Sequence, residues 1–142
     1  MSAHPHGLER TKLLIIEDDK VHRMIIKKVA TALGFQISEA DSYDRAIAMI
    51  DHQTFDCATL DIGLRQHNGL DVLRHLWNIH YRIPVLIISG ADEAKRAETM
   101  GLAEVMNIDV LHAVKKPLDL KALNAALHKL KVHAEINGAA RH

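Results

Sequence analysis

The sequence predicts an α/β protein: a five-stranded parallel sheet in the order 2-1-3-4-5, covered by helices on both faces. Three observations predict it. Short, continuous apolar runs of the kind buried on both faces of a parallel sheet alternate with segments whose apolar residues recur every three or four positions. That β-α alternation repeats along the chain, which is the pattern of crossover units with right-handed connections. Finally, the strand runs end in chemistry-bearing residues, and the carboxyl ends of strands in such sheets are where ligands sit.

The elements follow in order. Residues 1–10 are polar and read as a flexible leader without the apolar segment of a secretory signal. Leu13-Leu14-Ile15-Ile16 is the first strand and ends in Glu17-Asp18-Asp19. A helix follows from Lys20 to Leu33, with His22, Ile25, Ile26, Val29 and Leu33 on one face and Gly34 as its stop. Val21 and Met24 fall outside that stripe, beside the acids, as candidate partner contacts. Phe35 to Ala40 is a short strand, and Ser42 caps a helix to about Asp51. The run Phe55 to Leu64 carries the central strand and delivers Asp61 at its far end. Gly69 opens the next helix, with Leu70, Leu73, Leu76 and Trp77 expected inward.

Pro84 to Ile88 is the fourth strand, ending in Ser89-Gly90. A long helical pattern spans 91–107 and holds Gly101 at some cost to helix stability. Ile108 to Val114 is the fifth strand, followed by Lys115-Lys116-Pro117. The last helix is expected over 118–130, with Leu120, Leu123, Leu127 and Leu130 inward, and residues 132–142 as a flexible tail.

Composition narrows the function. The chain has 142 residues, enough for one ordinary domain, expected over 11–131. Lys+Arg and Asp+Glu balance at 18 each, which argues against direct nucleic-acid binding. No apolar run reaches membrane-span length. The single Cys57 sits inside a strand run as a small buried hydrophobe and fits a reducing, cytoplasmic setting. The eleven histidines are scattered, and His75/His80 and His128/His133 stand five apart rather than at ligand spacing, so they read as surface residues.

With strands one and three adjacent, Glu17 and Asp18 approach Asp61. Three close carboxylates repel unless a cation neutralises them, and oxygen-only ligands suit Mg²⁺. Ser89 adds a hydroxyl and Lys116 a mobile ammonium at the ends of the next two strands. Acids, hydroxyl and lysine at successive strand ends make a site for phosphoryl transfer to a carboxylate.

These residues resemble a known family. Leu13-Leu14-Ile15-Ile16-Glu17-Asp18-Asp19, Asp61-Ile62-Gly63-Leu64 with Gly69 beyond it, Ile87-Ile88-Ser89-Gly90 and Lys116-Pro117 are similar to the receiver domain of two-component response regulators, over roughly 11–131. The resemblance implies a flavodoxin-like, doubly wound fold and a phosphorylation switch rather than a turnover enzyme. It makes Asp61 the phosphoacceptor, fed by a sensor histidine kinase or a histidine phosphotransfer protein. Mg²⁺ is implied on Glu17 (through water), Asp18, Asp61 and the Gly63 carbonyl, with Ser89 and Lys116 engaging the phosphoryl group. A cis Lys116–Pro117 bond, a downstream protein target and a homodimer formed on phosphorylation are further implications.

The departures are Arg65 in place of the family's usual proline, and Ala113 where an aromatic switch residue is usual, with His112 turned away by alternation. Gly63 and Ala91 replace polar side chains that affect hydrolysis. The added length between Ser89 and Lys116 is placed in the helix over 91–107. About eleven residues after the last helix leave no room for an output domain, so a single-domain receiver is expected. A phosphorelay intermediate is the alternative within the class. Outside it stand a small Mg²⁺-dependent phosphatase of the haloacid dehalogenase type, using an acid pair from Glu17-Asp18-Asp19, and a docking module without chemistry.

Overall fold

A computed structural model describes residues 10–63, 69–90 and 93–140. The expectations for the leader before Arg10, and for Leu64, Arg65 and Ala91, lie outside these residues. The elements alternate as β1 (Lys12–Ile16), α1 (Lys20–Ala32), β2 (Gln36–Ala40), α2 (Tyr43–His52), β3 (Cys57–Asp61), α3 (Gly69–Asn78), β4 (Val85–Ser89), α4 (Glu93–Val105), β5 (Val110–Lys115) and α5 (Leu120–Ala140). The strands form one sheet in the order β2-β1-β3-β4-β5, all parallel. This is the doubly wound, flavodoxin-like order the sequence predicts.

Strands β3 and β4 are buried along their whole length, and β1 from Leu13 onward, because helices cover both sides. On one side Leu13, Ile15, Cys57, Leu86 and Ile88 pack against Ile26 and Ala30 of α1 and Leu123, Leu127 and Leu130 of α5. On the other, Leu14, Ile16, Leu60 and Ile87 meet α2, α3 and α4 through Ile50, Leu73, Leu76 and Ala103. Burying a side chain the size of Leu60 or Ile87 is worth about 1.5–3 kcal/mol. The alternation of faces along β3 leaves its last residue, Asp61, as the polar end of an apolar ladder.

Local chemistry sets the boundaries. Asp19 caps α1, its side chain accepting from the His22 amide at 2.9 Å, and Ser42 caps α2 by accepting from Arg45 at 3.1 Å. Gly34, at φ +91°, ends α1 in a left-handed residue, with the Gly34 and Phe35 amides returned to Thr31 and Ala30 carbonyls.

Four expectations are corrected. Residues 132–140 are not a loose tail; α5 runs on to Ala140. Its Ala134 is buried against the core, and Asp109, just ahead of β5, accepts from Asn137 and pairs with His133, contacts that hold the extra turns down. Leu120 is exposed rather than inward, because the buried stripe of α5 begins at Leu123 and continues through Leu127, Leu130 and Ala134. Trp77 is 50% exposed, since Leu70, Val72, Leu73 and Leu76 already fill the buried face of α3. Finally, β5 carries an extra residue. Leu86 and Ile88 pair with Leu111 and Val114, so three positions on β5 oppose two on β4, and one residue of the Ser89–Lys116 length lies in this strand. The strict alternation used to orient His112 does not hold across such a shift.

Candidate metal and phosphoryl site

The site is assembled from four strand ends. Glu17 follows β1, and its amide donates to the Ala40 carbonyl at 3.0 Å, extending the β1–β2 ladder by one residue. The side chain is therefore held in the interior, with no exposed surface. Its Oε2 accepts from the Asp19 amide at 3.1 Å and from Lys116 Nζ at 3.0 Å, while its Oε1 has no hydrogen-bond partner among the described residues. Asp18 is half-buried beside it. Asp19 is exposed and serves the helix cap, a bond that holds its carboxyl below the usual range.

Asp61 ends β3 and is 3% exposed. One oxygen, Oδ1, accepts from the Gly63 amide at 2.9 Å; the other, Oδ2, accepts from Lys116 Nζ at 3.2 Å. Glu17, Asp18 and Asp61 each offer a carboxylate oxygen within 4.8 Å of the others. The end of β5 supplies the cation. The Lys116 amide donates to the Ser89 carbonyl at 2.7 Å, continuing the pairing of Ser89 with Lys115, and the Lys116–Pro117 peptide is cis. Ser89 itself is buried one residue past Ile88, the partner of Asp61 in the sheet, and its hydroxyl has no hydrogen-bond partner among the described residues.

The electrostatics follow from burial and proximity. Burial, reinforced by Asp61, pushes the Glu17 carboxyl from its ordinary 4.5 up to about 8 despite Lys116. Burial pulls the Lys116 ammonium down, but Asp61 and Glu17 outweigh it and leave it raised. The lysine is thus firmly charged while the buried glutamate tends to take up a proton. A divalent cation fits this donor set: three carboxylate oxygens at short range, one buried carboxylate oxygen without a hydrogen-bond partner among the described residues, and no soft donor in the cluster.

All the residues expected at the site except those outside the described segments arrive at one edge of the sheet. Sequence reasoning missed three features. The Gly63 amide donates into the cluster, to Asp61 Oδ1. Lys116 bridges two acids. Gly69 is required sterically, because a Cβ there would lie 2.6 Å from the Ile62 Cα. The sequence signal for the last was a lone glycine at a helix start, which reads equally well as a simple turn. Two of the histidines pair with acids at the surface, His75 with Asp51 and His133 with Asp109.

Fold and cluster together define a class: doubly wound α/β proteins with an acidic, cation-compatible pocket closed by a lysine at the carboxyl edge of the sheet. The chain belongs to the response regulator receiver domain family, whose model matches residues 13–128. It is 26% identical over 121 residues to the transcriptional regulatory protein ZraR of Escherichia coli K12, covering 85% of this chain and 26% of that protein. Against the sensor protein EvgS of the same organism it is 26% identical over 134 residues, covering 94% of this chain and 11% of that one. The chain therefore spans about a quarter of the length of the first of these relatives and about a tenth of the second.

Among solved structures it is similar to a CheY-like response regulator receiver domain protein from Methanospirillum hungatei JF-1, with TM-score 0.77 and 18% identity over 91% of this chain and 99% of that one. The chemotaxis response regulator CheY4 of Vibrio cholerae matches with TM-score 0.72 and 14% identity, over 86% and 99%. At these identities the likeness concerns the fold. Receiver domains are phosphoacceptor switches of two-component systems, working between sensor kinases and downstream effectors, and they bind Mg²⁺ through acidic residues. The Glu17–Asp18–Asp61 cluster is compatible with such an ion.

Proposed function

We propose that this chain accepts a phosphoryl group on Asp61 from the phosphohistidine of a sensor histidine kinase or histidine phosphotransfer protein. The observation that carries the reading is the meeting of Glu17, Asp18 and Asp61 within 4.8 Å, closed by Lys116 and flanked by the unbonded Ser89 hydroxyl. Glu17, Asp18, Asp61 and the Gly63 carbonyl are the groups that would hold Mg²⁺, which when bound neutralises the acids and the phosphoryl oxygens. An Asp61 oxygen forms the new bond to phosphorus as the bond to the donor imidazole breaks, and the imidazole keeps the electron pair. Lys116 then exchanges a carboxylate contact for a phosphoryl oxygen, and the Ser89 hydroxyl donates to another.

The exposed Val21 (63%) and Met24 (59%) on α1 lie beside the acids and form the apolar contacts for the donor protein. Output is read from the α4–β5–α5 face, where a groove of about 770 Å³ is lined by Leu111, Val114, Lys115, Ala122 and Ala126 and abuts Pro117. A downstream protein, or a second copy of the phosphorylated chain, is its occupant. Because Ala113 supplies no ring, the signal passes through the backbone of the Lys115–Pro117 turn. The reading carries with it a cytoplasmic location; no helix among the described residues is long and apolar enough to cross a membrane.

The test is incubation with acetyl phosphate and Mg²⁺, followed by a phosphate-affinity gel. A retarded band that disappears with EDTA is expected. No band from acetyl phosphate or from a phosphohistidine donor would overturn the reading. Transfer of label back onto a second histidine protein would assign the chain to a relay, and steady turnover of an aryl phosphate would favour the phosphatase alternative.

Two further outcomes are expected. Gly63 has no side chain to orient a water, and Ala91 offers only a methyl, so the phosphorylated form is long-lived; rapid loss of the retarded band without any phosphatase would contradict this. Mg²⁺ affinity depends on pH. Below about 8 the metal-free Glu17 holds a proton that the ion must displace, so binding weakens by up to about tenfold per pH unit. Metal-free stability moves the opposite way with pH. The folded chain binds more protons than the unfolded one between about 4.5 and about 8, so stability falls as pH rises across that window. Calorimetry in buffers of different ionisation enthalpy reads the released proton directly; binding independent of pH between 6 and 8 would exclude it.

A further inference from the structure

Glu17 is fixed on both sides of its peptide, and only one of those sides belongs to the sheet. Its amide is taken by the Ala40 carbonyl, but its buried carbonyl accepts from Arg23 Nη1 at 3.0 Å. Arg23 stands one turn into α1 and is only 19% exposed at its side chain. Its Nε lies 3.4 Å from Glu39 Oε1 on β2, and the other Glu39 oxygen lies 3.0 Å from Lys27 Nζ, one turn further along α1. Glu39 pairs in the sheet with Ile15, two residues before Glu17. A continuous polar chain therefore runs from the β2 edge through Arg23 to the backbone of the first acid.

We propose that Arg23 is a positioning residue for the cation site, clamping the Glu17 carbonyl so that Glu17 and Asp18 present their carboxylates in one direction. The inference rests on the Mg²⁺ reading above. The peptide between Glu17 and Asp18 is the hinge on which both acids turn. Its carbonyl is buried, so losing its donor leaves an unpaired oxygen whose simplest relief is rotation of that same peptide. The guanidinium suits the task because its rigid planar fork holds the carbonyl through Nη1 and the carboxylate through Nε in one fixed geometry, whereas an ammonium is a compact point charge on a flexible stem.

The sign of the effect separates this role from bulk electrostatics. Arg23 is a cation close to a site for cations, so charge alone predicts that removing it strengthens Mg²⁺ binding. Positioning predicts the opposite. In the full chain, R23M is expected to weaken Mg²⁺ binding by about tenfold, equal to about 1.4 kcal/mol. R23K, which keeps the charge, is expected not to restore it. E39Q keeps the carbonyl contact but loosens its anchor and is expected to weaken binding by a smaller factor. A readout without metal accompanies these: in the metal-free protein, the Asp18 and Asp19 amide resonances should shift and broaden in R23M and E39Q, while those of β4 stay in place.

Binding by R23M as tight as wild type or tighter, or full recovery in R23K, would overturn the proposal while leaving the metal reading intact. Failure of the wild-type chain to bind Mg²⁺ would overturn the metal reading and the proposal with it. Thermal unfolding is followed in parallel, and should R23M not fold, E39Q decides by the same two readouts.

Discussion

Asp61→Asn is expected to abolish labelling by acetyl phosphate outright while leaving the fold intact. The amide is nearly isosteric, so β3 and the packing of Leu60 beneath it are unchanged. On the proposed reading the nucleophile is lost, since a neutral carboxamide does not attack phosphorus at a useful rate. The geometry adds a second effect. Asp61 accepts through both oxygens, from the Gly63 amide and from Lys116, and an amide has only one oxygen to offer. The oxygen that remains keeps the Gly63 amide and the NH₂ group takes the place of Oδ2, leaving Lys116 paired with Glu17 alone. Asp61 is also among the causes that raise the Glu17 carboxyl. Without that negative charge Glu17 ionises at lower pH, and the fall in metal-free stability between about 4.5 and about 8 becomes shallower. Two measurements check this together: the phosphate-affinity gel for labelling, and urea unfolding at several pH values for the linkage. A variant that still gives a Mg²⁺-dependent retarded band would place the phosphoacceptor elsewhere.

The parts of this molecule legible in the sequence are those encoded locally. Parallel strands buried on both faces must be apolar throughout, so Leu13–Ile16 and Val85–Ile88 announce themselves. The site was legible because its residues sit within two positions of the ends of such runs, and a chain leaving a buried strand has to end it somewhere. What was illegible depends on distant partners. The last turns of α5 lack a clear apolar stripe, yet Asp109, some two dozen residues earlier, engages His133 and Asn137 and keeps them helical. Trp77 has the composition of a core residue and the position of a flank residue, which only the packing of α3 decides. The extra residue in β5 leaves no local mark, since His112-Ala113 is compatible with either pairing. The proton on Glu17 is likewise a property of its burial beside Asp61 and not of its neighbours in sequence.

Gly69→Ala is expected to be the most disruptive single methyl that can be added near the site. Gly69 begins α3 directly over the residue that follows Asp61, and its amide donates to the Ile62 carbonyl at 3.2 Å. A Cβ at this position would lie 2.6 Å from the Ile62 Cα, 3.0 Å from its Cγ2 and 3.2 Å from the Asp61 carbonyl oxygen. Two of these three are backbone atoms, so no rotamer change relieves the overlap. Either α3 retreats, loosening Leu70 and Leu73 from the core, or Ile62 moves and carries the Gly63 amide away from Asp61 Oδ1. Both routes cost about 1–3 kcal/mol for overpacking, and the second also weakens Mg²⁺ binding and labelling. Gly101→Ala is the matched control. Gly101 lies inside α4, where an added Cβ meets nothing within 4 Å among the described residues beyond the helix's own backbone, so the same substitution there should stabilise by about 0.5–1 kcal/mol through the reduced entropy of the unfolded chain. Urea unfolding of the two variants should therefore move in opposite directions from wild type. A Gly69→Ala protein as stable as wild type, labelled at the same rate, would mean that the close approach of α3 to the end of β3 is not what holds Asp61 in place.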